Sequence, residues 1–255
     1  VYPPGSLFKV VMSAAALSSG EYEPDTEIPG PALLDLPDTS ATIGNYFDGP
    51  CLGGSVTLTE ALAISCNTAF VSLSPELEPP DLQDAAGALG VGAGWGATVG
   101  VDGAFAGSVP QTSGGTDAAA ASIGQGRNEV SPLSLGVMVG SIARGTYLPP
   151  VLVRDPGASA RPTALDGEAV ADIRSMMASV VASGTATVMR GTPGGPVRGK
   201  TGTAESGSDP DALPRVWFVG YQGDVAFAVL VEEGKSGGTV AAPIAKDFLT
   251  ELARP

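Results

Sequence analysis

The stretch Lys200-Thr201-Gly202-Thr203 stands shortly before a pair of strand-like segments that together span residues 216–231. Those segments are rich in β-branched and aromatic residues and are separated by a short glycine-containing turn, so they predict an antiparallel hairpin. A lysine followed by Thr-Gly-Thr offers a positive charge, two hydroxyls and a glycine that permits close approach of another backbone. Along a strand edge, this set would hold the carboxylate end of a peptide laid beside it. Alone, such a tetrapeptide is more often an ordinary surface turn.

The composition is typical of a folded, acidic domain. The 255 residues are 43% hydrophobic and 16% charged, which is enough to bury one large core, with or without a small appendage. Lysine and arginine total 13 against 27 acidic residues, so the net charge is −14. Because this charge would repel phosphate backbones, nucleic acid is not expected as a partner. An anionic substrate would need a local positive patch, for which Lys200 and Arg198 are the candidates.

The chain contains no histidine, and this narrows the possible chemistry. Without histidine there can be no Ser-His-Asp or Cys-His arrangement and no histidine metal site, and two cysteines cannot close a structural zinc site. We therefore expect no metal and no other cofactor. Any reaction must use Ser, Lys, Asp, Glu, Tyr or Cys. The two cysteines, Cys51 and Cys66, are either buried thiols or a disulfide, and a disulfide would indicate an oxidising compartment.

The sequence offers few signs of a division into domains. No internal repeat or low-complexity linker divides the sequence, so residues 1–255 are expected to form one domain. No apolar run approaches the roughly 20 residues needed to span a bilayer, and no signal peptide is visible. The opening Val1-Tyr2-Pro3 is typical of the interior of a protein, because no methionine leads and a helix begins a few residues later. We interpret the chain as a fragment of a longer protein.

A Ser-x-x-Lys motif, Ser6 to Lys9, begins a predicted buried helix over residues 7–17. Ser6 lies in its first turn, where free N–H groups favour developing negative charge. Lys9 is three residues on, so the two side chains share one helix face. Apolar neighbours would desolvate the Lys9 amine, and burial lowers a lysine pKa so that the amine can act as a base. A serine cap followed by a surface lysine is the ordinary alternative.

A second polar motif, Ser65-Cys66-Asn67, separates two predicted helices. The first of them opens with a capping-box pattern, Thr57 and Glu60. Such a tripeptide is often only a connector. On a short rigid loop, its hydroxyl and carboxamide are suited to relaying protons and holding a substrate amide.

The three motifs together form a specific pattern. Ser-x-x-Lys, Ser-x-Asn and Lys-Thr-Gly-Thr in this order are found in penicillin-binding proteins and class A β-lactamases. Further matches are Pro3-Pro4-Gly5 before the serine, Gly124-Gln125-Gly126, and Trp217-Phe218-Val219-Gly220. The chain resembles the transpeptidase domain of a class B penicillin-binding protein, of the actinobacterial kind, over nearly its whole length. Leu7 departs from the threonine that is frequent in that family at this position.

The resemblance implies a fold and a place in the cell. The fold is α+β, β-lactamase/transpeptidase-like, with an antiparallel sheet, N- and C-terminal helices on one face and an all-helical subdomain on the other. Residues 1–255 would be the transpeptidase domain, with the family's upstream strands, pedestal domain and membrane anchor lying outside this chain. The parent protein would act on the outer face of the cytoplasmic membrane.

The resemblance also implies roles for the motif residues. Ser6 would be the nucleophile that attacks the D-Ala-D-Ala bond of a peptidoglycan stem peptide, and Lys9 would take its proton. Ser65 would pass a proton to the leaving amine, while Asn67 would hold a substrate amide and position Lys9. The Lys200-Thr201-Gly202-Thr203 stretch would bind the terminal carboxylate, with the N–H groups of Ser6 and Thr203 forming the oxyanion hole.

The same resemblance implies a Cys51–Cys66 disulfide. It implies stem peptides, their lipid-linked precursor and β-lactams as ligands, and cell-wall synthesis proteins as partners of a membrane-anchored parent. The expected activity is peptidoglycan cross-linking through a covalent acyl-enzyme that β-lactams also form.

Other functions remain open from the residues alone. A serine β-lactamase needs a carboxylate that activates water for deacylation, and Glu60 is better explained as a capping partner. A β-lactam or cell-wall sensor that is acylated once would carry the same three motifs. Carboxypeptidase and transpeptidase differ only in the acceptor.

Overall fold

A three-stranded antiparallel sheet, in the order β7-β8-β9, is the framework of the site. Its strands are β7 (Arg198–Ala204), β8 (Arg215–Gln222) and β9 (Val225–Val231). The structure is a computed structural model that describes residues 1–77, 81–97, 99–152, 161–205 and 212–254. The predicted hairpin is confirmed as β8 and β9, and the Lys-Thr-Gly-Thr stretch forms the body of the neighbouring strand β7.

Eight α-helices and three further strand pairs complete the described part of the chain. The helices are α1 (Lys9–Ser18), α2 (Leu58–Ile64), α3 (Asn67–Leu73), α4 (Asp81–Ala88), α5 (Gly115–Ser122), α6 (Pro132–Arg144), α7 (Gly167–Ala182) and α8 (Ala242–Leu252). The antiparallel pairs are β1 (Glu27–Pro29) with β4 (Ser55–Thr57), β2 (Leu33–Asp35) with β3 (Thr42–Gly44), and β5 (Thr146–Tyr147) with β6 (Thr163–Ala164). No helix among the described residues is both long enough and apolar enough to cross a membrane.

Local sequence signals explain where several helices begin and end. The predicted capping box of α2 is present, because the Thr57 side chain accepts from the Glu60 N–H while the Glu60 carboxylate accepts from the Thr57 N–H. Helix α6 begins with a Ser131 cap and Pro132, and it is closed after Arg144 by Gly145, whose φ of 80° favours glycine. These interactions satisfy backbone groups that a helix cannot satisfy internally.

The central strand β8 is buried on both sides because helices cover both faces of the sheet. On one face Trp217 packs edge-to-face on Tyr2, with ring centroids 5.9 Å apart. Gly202 shares that face, and a Cβ built on it would lie 2.8 Å from Leu7. The 3-10 helix Gly5–Phe8 therefore packs directly beneath β7.

The opposite face carries the C-terminal helix. Val216 and Val240 meet there beside Gly234, and α8 packs against β8 and β9. The expected β-lactamase/transpeptidase-like α+β class is confirmed. The N-terminal helix of this chain, however, lies with the helical layer and not with α8, because α1 continues from the Gly5–Phe8 turn and packs against α4 and α7.

Gly124 shows how closely the backbone segments meet beneath the site, and it yields a test of the fold. Its φ is +72°, and a Cβ there would collide with the Gly5 carbonyl oxygen and lie 2.8 Å from the Phe8 Cβ. We expect Gly124→Ala to lower the free energy of unfolding by at least about 2 kcal/mol, from backbone strain and overpacking. Denaturant unfolding measures this.

Gly87→Ala is the matched control. Gly87 lies inside α4, with open space around its Cα. Alanine there should stabilise the protein by about 0.5–1 kcal/mol through helix propensity. Equal effects of the two substitutions would contradict the close packing assigned to Gly124.

Candidate active site

A cleft of about 990 Å³ opens along the edge of β7, between the helical layer and the turn that leads into α8. Residues from all three sequence motifs line it, together with an irregular segment that follows β3. The motif residues among its lining are Ser6, Ser65, Asn67, Thr201 and Thr203. Segments that are far apart in the sequence therefore meet at one surface.

Ser6 is placed by the turn in front of α1. The preceding residue, Gly5, has a φ of +54°, and a Cβ there would lie 2.5 Å from the Thr203 carbonyl oxygen. Only glycine allows this approach without strain. The Ser6 hydroxyl consequently sits at the start of the helical run, beside the strand that carries Thr203.

Lys9 is fully buried at the base of the cleft, where its amine contacts four oxygen atoms. Its Nζ lies 2.7 Å from the Ser65 carbonyl oxygen and 2.7 Å from Asn67 Oδ1. It also lies 3.1 Å from Ser6 Oγ and 3.2 Å from Ser65 Oγ. When the amine is neutral, its two N–H groups can donate to the two oxygens at the shorter distance. Its lone pair is then free to accept a proton from Ser6.

The surroundings of Lys9 favour this neutral form. Burial lowers the pKa of the Lys9 amine well below 10.5, and the nearby charge of Lys200 lowers it further. Both causes lower the pKa, because burial removes water from the ammonium and the like charge of Lys200 repels it. The pKa prediction made from the apolar neighbours of Lys9 is therefore confirmed in direction.

Ser65 connects the two lysines. It follows α2 with a φ of 62°, a left-handed conformation that is uncommon for a residue other than glycine. Its Oγ lies 2.9 Å from Lys200 Nζ and 3.2 Å from Lys9 Nζ. The hydroxyl thus bridges two amines, which is the arrangement a proton relay needs.

Lys200 points from β7 toward Ser65. Its ammonium donates to Ser65 Oγ and, at 3.0 Å, to the Thr201 carbonyl oxygen. Burial lowers the pKa of Lys200 to about 7. Arg198, the other candidate for a positive patch, does not line the cleft: its guanidinium lies over the Tyr221 ring, 5.9 Å from the ring centroid.

The two threonines of β7 face the cleft from the other side of the strand. Thr201 Oγ1 lies 2.6 Å from the hydroxyl of Thr185, and Thr203 lines the same wall. Gly202 between them packs on Leu7, which keeps β7 against the Ser6 turn. Leu7, the departure from the expected family pattern, is thus a packing residue beneath the strand.

The Cys51–Cys66 disulfide is present, with Cα atoms 6.2 Å apart. Both cysteines are fully buried, and Cys66 is the middle residue of the Ser-x-Asn motif. The bridge ties the segment after β3 to the turn between α2 and α3. It therefore restrains both the loop that lines the cleft and the motif itself.

Many residues that line the cleft were not predicted from the sequence, and two of them make hydrogen bonds to or beside the motif residues. Thr185 comes from the turn after α7, and Asn45 from the loop after β3. Neither position has a periodic pattern or a recognisable motif around it. The only sequence signal is that each is a small polar residue in an irregular segment, which is too common to identify a site.

These contacts define a class of site: a serine hydroxyl beside a buried lysine amine, with a second serine, a second lysine and a carboxamide around them. Such a site performs acyl transfer through a covalent serine intermediate. Residues 1–250 match the penicillin binding protein transpeptidase domain family. The chain belongs to this family, as the motif resemblance indicated.

Relatives and solved structures agree with this assignment. The chain is 35% identical over 282 residues to the peptidoglycan D,D-transpeptidase PbpA of Mycolicibacterium smegmatis, covering 99% of this chain and 55% of the relative. It is 34% identical to PbpA of Mycobacterium tuberculosis, covering 96% and 54%. The chain thus spans about half the length of the curated relatives it matches.

Among solved structures, the ceftriaxone acyl-enzyme complex of penicillin-binding protein A from M. tuberculosis superposes with a TM-score of 0.86 at 31% identity. The match covers all of this chain and 61% of that chain. Pseudomonas aeruginosa PBP2 in complex with WCK 5153 superposes with a TM-score of 0.84 at 26% identity, covering 99% and 58%.

Proposed function

We propose that this chain is the catalytic domain of a peptidoglycan D,D-transpeptidase. Ser6 attacks the D-Ala-D-Ala bond of a stem peptide, D-Ala leaves, and the acyl group passes from Ser6 to an amine of a second stem. β-Lactams acylate the same serine. The observation that carries this proposal is the position of Lys9 Nζ, which is 3.1 Å from Ser6 Oγ and 2.7 Å from both the Ser65 carbonyl oxygen and Asn67 Oδ1.

The first step is formation of the acyl-enzyme. The Lys9 lone pair accepts the Ser6 proton while Oγ bonds to the substrate carbonyl carbon, and the carbonyl oxygen becomes an oxyanion. The N–H groups of Ser6 and Thr203 are suited to receive it, since Gly5 holds the Ser6 turn against Thr203. One such donor lowers the activation barrier by on the order of 3 kcal/mol.

The proton must then reach the leaving amine of D-Ala. Ser65 Oγ is within hydrogen-bond distance of both lysines. It can take the proton from Lys9 and give its own to the leaving nitrogen as the C–N bond breaks. Attack by an acceptor amine reverses this path, with Ser65 and Lys9 removing the proton of the incoming nitrogen.

The wall of the cleft formed by β7 binds the substrate. Thr201 and Thr203 present hydroxyls to the cleft, and the Lys200 charge lies directly behind them. Together they are suited to the terminal carboxylate of D-Ala-D-Ala or of a β-lactam. Asn67, besides contacting Lys9, lines the cleft where it can bind a substrate amide.

We place the parent protein outside the cytoplasmic membrane, anchored to it, with the lipid-linked stem peptide as substrate and cell-wall synthesis proteins as partners. The Cys51–Cys66 disulfide supports this location, because structural disulfides persist in oxidising compartments. The proposed substrate also lies outside the cytoplasm, which supports the same location.

A β-lactamase is the second candidate. Glu60 is held in the capping box of α2 by its contacts with Thr57, as expected, and it does not line the cleft. Among the described residues that line it, Glu205 carries the one carboxylate. A carboxylate in the cleft is what water activation would require, so penicillin turnover is the measurement that separates the two functions.

Intact-mass analysis after fluorescent penicillin treatment tests the proposal. One penicilloyl group should add to the wild type and persist, and none should add to Ser6→Ala. Ser179→Ala, on α7 and away from the cleft, should label like the wild type. Labelling that survives Ser6→Ala contradicts the nucleophile assignment, and rapid release of penicilloate identifies a β-lactamase.

A D-Ala-D-Ala-type thioester with an added amine extends this test to turnover. A transpeptidase should form the amide repeatedly. Hydrolysis alone identifies a carboxypeptidase, and a single equivalent of acylation followed by arrest identifies a sensor.

The pH dependence of acylation provides an independent prediction. Lys9 is a base only when neutral, so the rate should fall as pH drops through its lowered pKa. Lys200, with a pKa of about 7, loses its charge above that pH and binds carboxylates less well. The second-order rate constant for penicillin acylation should therefore fall at low pH, where Lys9 is protonated, and should also decline above about pH 7, where Lys200 loses its charge.

Penicillin methyl ester is the control for the alkaline limb. It lacks the carboxylate, so its acylation rate should not decline above about pH 7. A rate that rises steadily to pH 10 for both compounds, as with an ordinary lysine base, contradicts these assignments.

A further inference from the structure

Asn45 closes the loop that forms one wall of the cleft. Its Nδ2 donates to the Pro31 carbonyl oxygen at 3.1 Å and to the Gly49 carbonyl oxygen at 3.2 Å. The side chain therefore ties both ends of the segment that contains β2 and β3 to one point. Both amide protons are used, which fixes the orientation of the carboxamide.

The oxygen of the same side chain holds the beginning of α3. Asn45 Oδ1 accepts from the N–H groups of Asn67, at 3.0 Å, and Thr68, at 3.2 Å. These belong to the first turn of a helix, where N–H groups have no partner inside the helix. Asn45 thus supplies from a distant loop the acceptor that α3 itself lacks for them.

The neighbouring residue orients the Asn67 side chain. The Gly44 carbonyl oxygen accepts from Asn67 Nδ2 at 3.0 Å, which leaves Asn67 Oδ1 facing Lys9 Nζ at 2.7 Å. Consecutive residues, Gly44 and Asn45, therefore fix both the side chain and the backbone of Asn67. Through Asn67 they fix the position of the Lys9 amine relative to Ser6.

We propose that Asn45 is a positioning residue for acylation of Ser6, acting through Asn67 on Lys9. This inference rests on the proposed function, because it concerns the rate of the same acyl transfer. Asn45 has no hydrogen bond to Ser6 or Lys9 among the described contacts, so its effect must pass through the start of α3. Displacement of a reacting group by about 1 Å can cost on the order of a hundredfold in rate.

A double-mutant cycle on the acylation rate constant tests this path. Asn67→Ala should slow penicillin acylation by about a hundredfold, and Asn45→Ala by about tenfold or more. If Asn45 acts through Asn67, the double variant should be no slower than Asn67→Ala alone. Rate reductions that multiply would overturn the inference, since Asn45 would then act independently of Asn67.

Gln222→Ala separates positioning from loss of stability. Like Asn45, Gln222 is a carboxamide whose Nε2 donates to two loop carbonyl oxygens, those of Pro193 and Gly195, but it does not line the cleft. Gln222→Ala and Asn45→Ala should both lower the melting temperature, while only Asn45→Ala should slow acylation. Equal acylation rates of the two variants would reduce Asn45 to a structural role and overturn the inference.

A second variant covers the case in which Asn45→Ala is unfolded. If Asn45→Ala does not fold, Asn45→Ser, whose hydroxyl can still accept one amide proton, replaces it and the same non-additivity with Asn67→Ala is required. A wild type that is not acylated at all refutes the proposed function, whereas an acylated wild type with multiplying rate reductions refutes only the role of Asn45.

Discussion

A buried lysine without a carboxylate partner is the constraint on which this site depends. Lys9 is fully buried, and its described hydrogen-bond partners are a carbonyl, a carboxamide and two hydroxyls. Burying an unpaired ammonium costs several kcal/mol, and release of its proton avoids that cost. The fold thus lowers the pKa of the Lys9 amine and favours its neutral form, which can accept the proton of the Ser6 hydroxyl 3.1 Å away. A chain without histidine obtains a base in this way.

Close backbone contacts bring the groups around Lys9 together. Glycines at positions 5, 124 and 202 each lie where a Cβ would strike a neighbouring segment. They allow the Ser6 turn to lie between β7 and the loop after α5. Ser65 adds a left-handed residue, and the disulfide restrains the turn that holds it. Local strain of this kind is retained where the surrounding packing fixes it, and here it surrounds a reactive centre.

The sequence was most informative where structure depends on near neighbours. The capping box of α2 and the β8–β9 hairpin follow from local patterns and are confirmed. The motifs also predicted the convergence of Ser6, Lys9, Ser65, Asn67 and Lys200. The position of Arg198 outside the cleft, and the positions of Asn45 and Thr185 in its lining, are determined by contacts between distant segments. Which face of β7 meets which loop is decided by packing, and no window of sequence contains that information.

The pKa of Lys9, measured by NMR, tests the central claim most directly. The chain has only four lysines, Lys9, Lys200, Lys235 and Lys246, so side-chain signals from a lysine-labelled sample can be assigned with single Lys→Arg variants. We predict that the Lys9 signal titrates well below 10.5, because burial and the Lys200 charge both favour the neutral amine. A Lys9 that titrates at or above 10.5 would be an ammonium at neutral pH, unable to activate Ser6, and would contradict this account of the site.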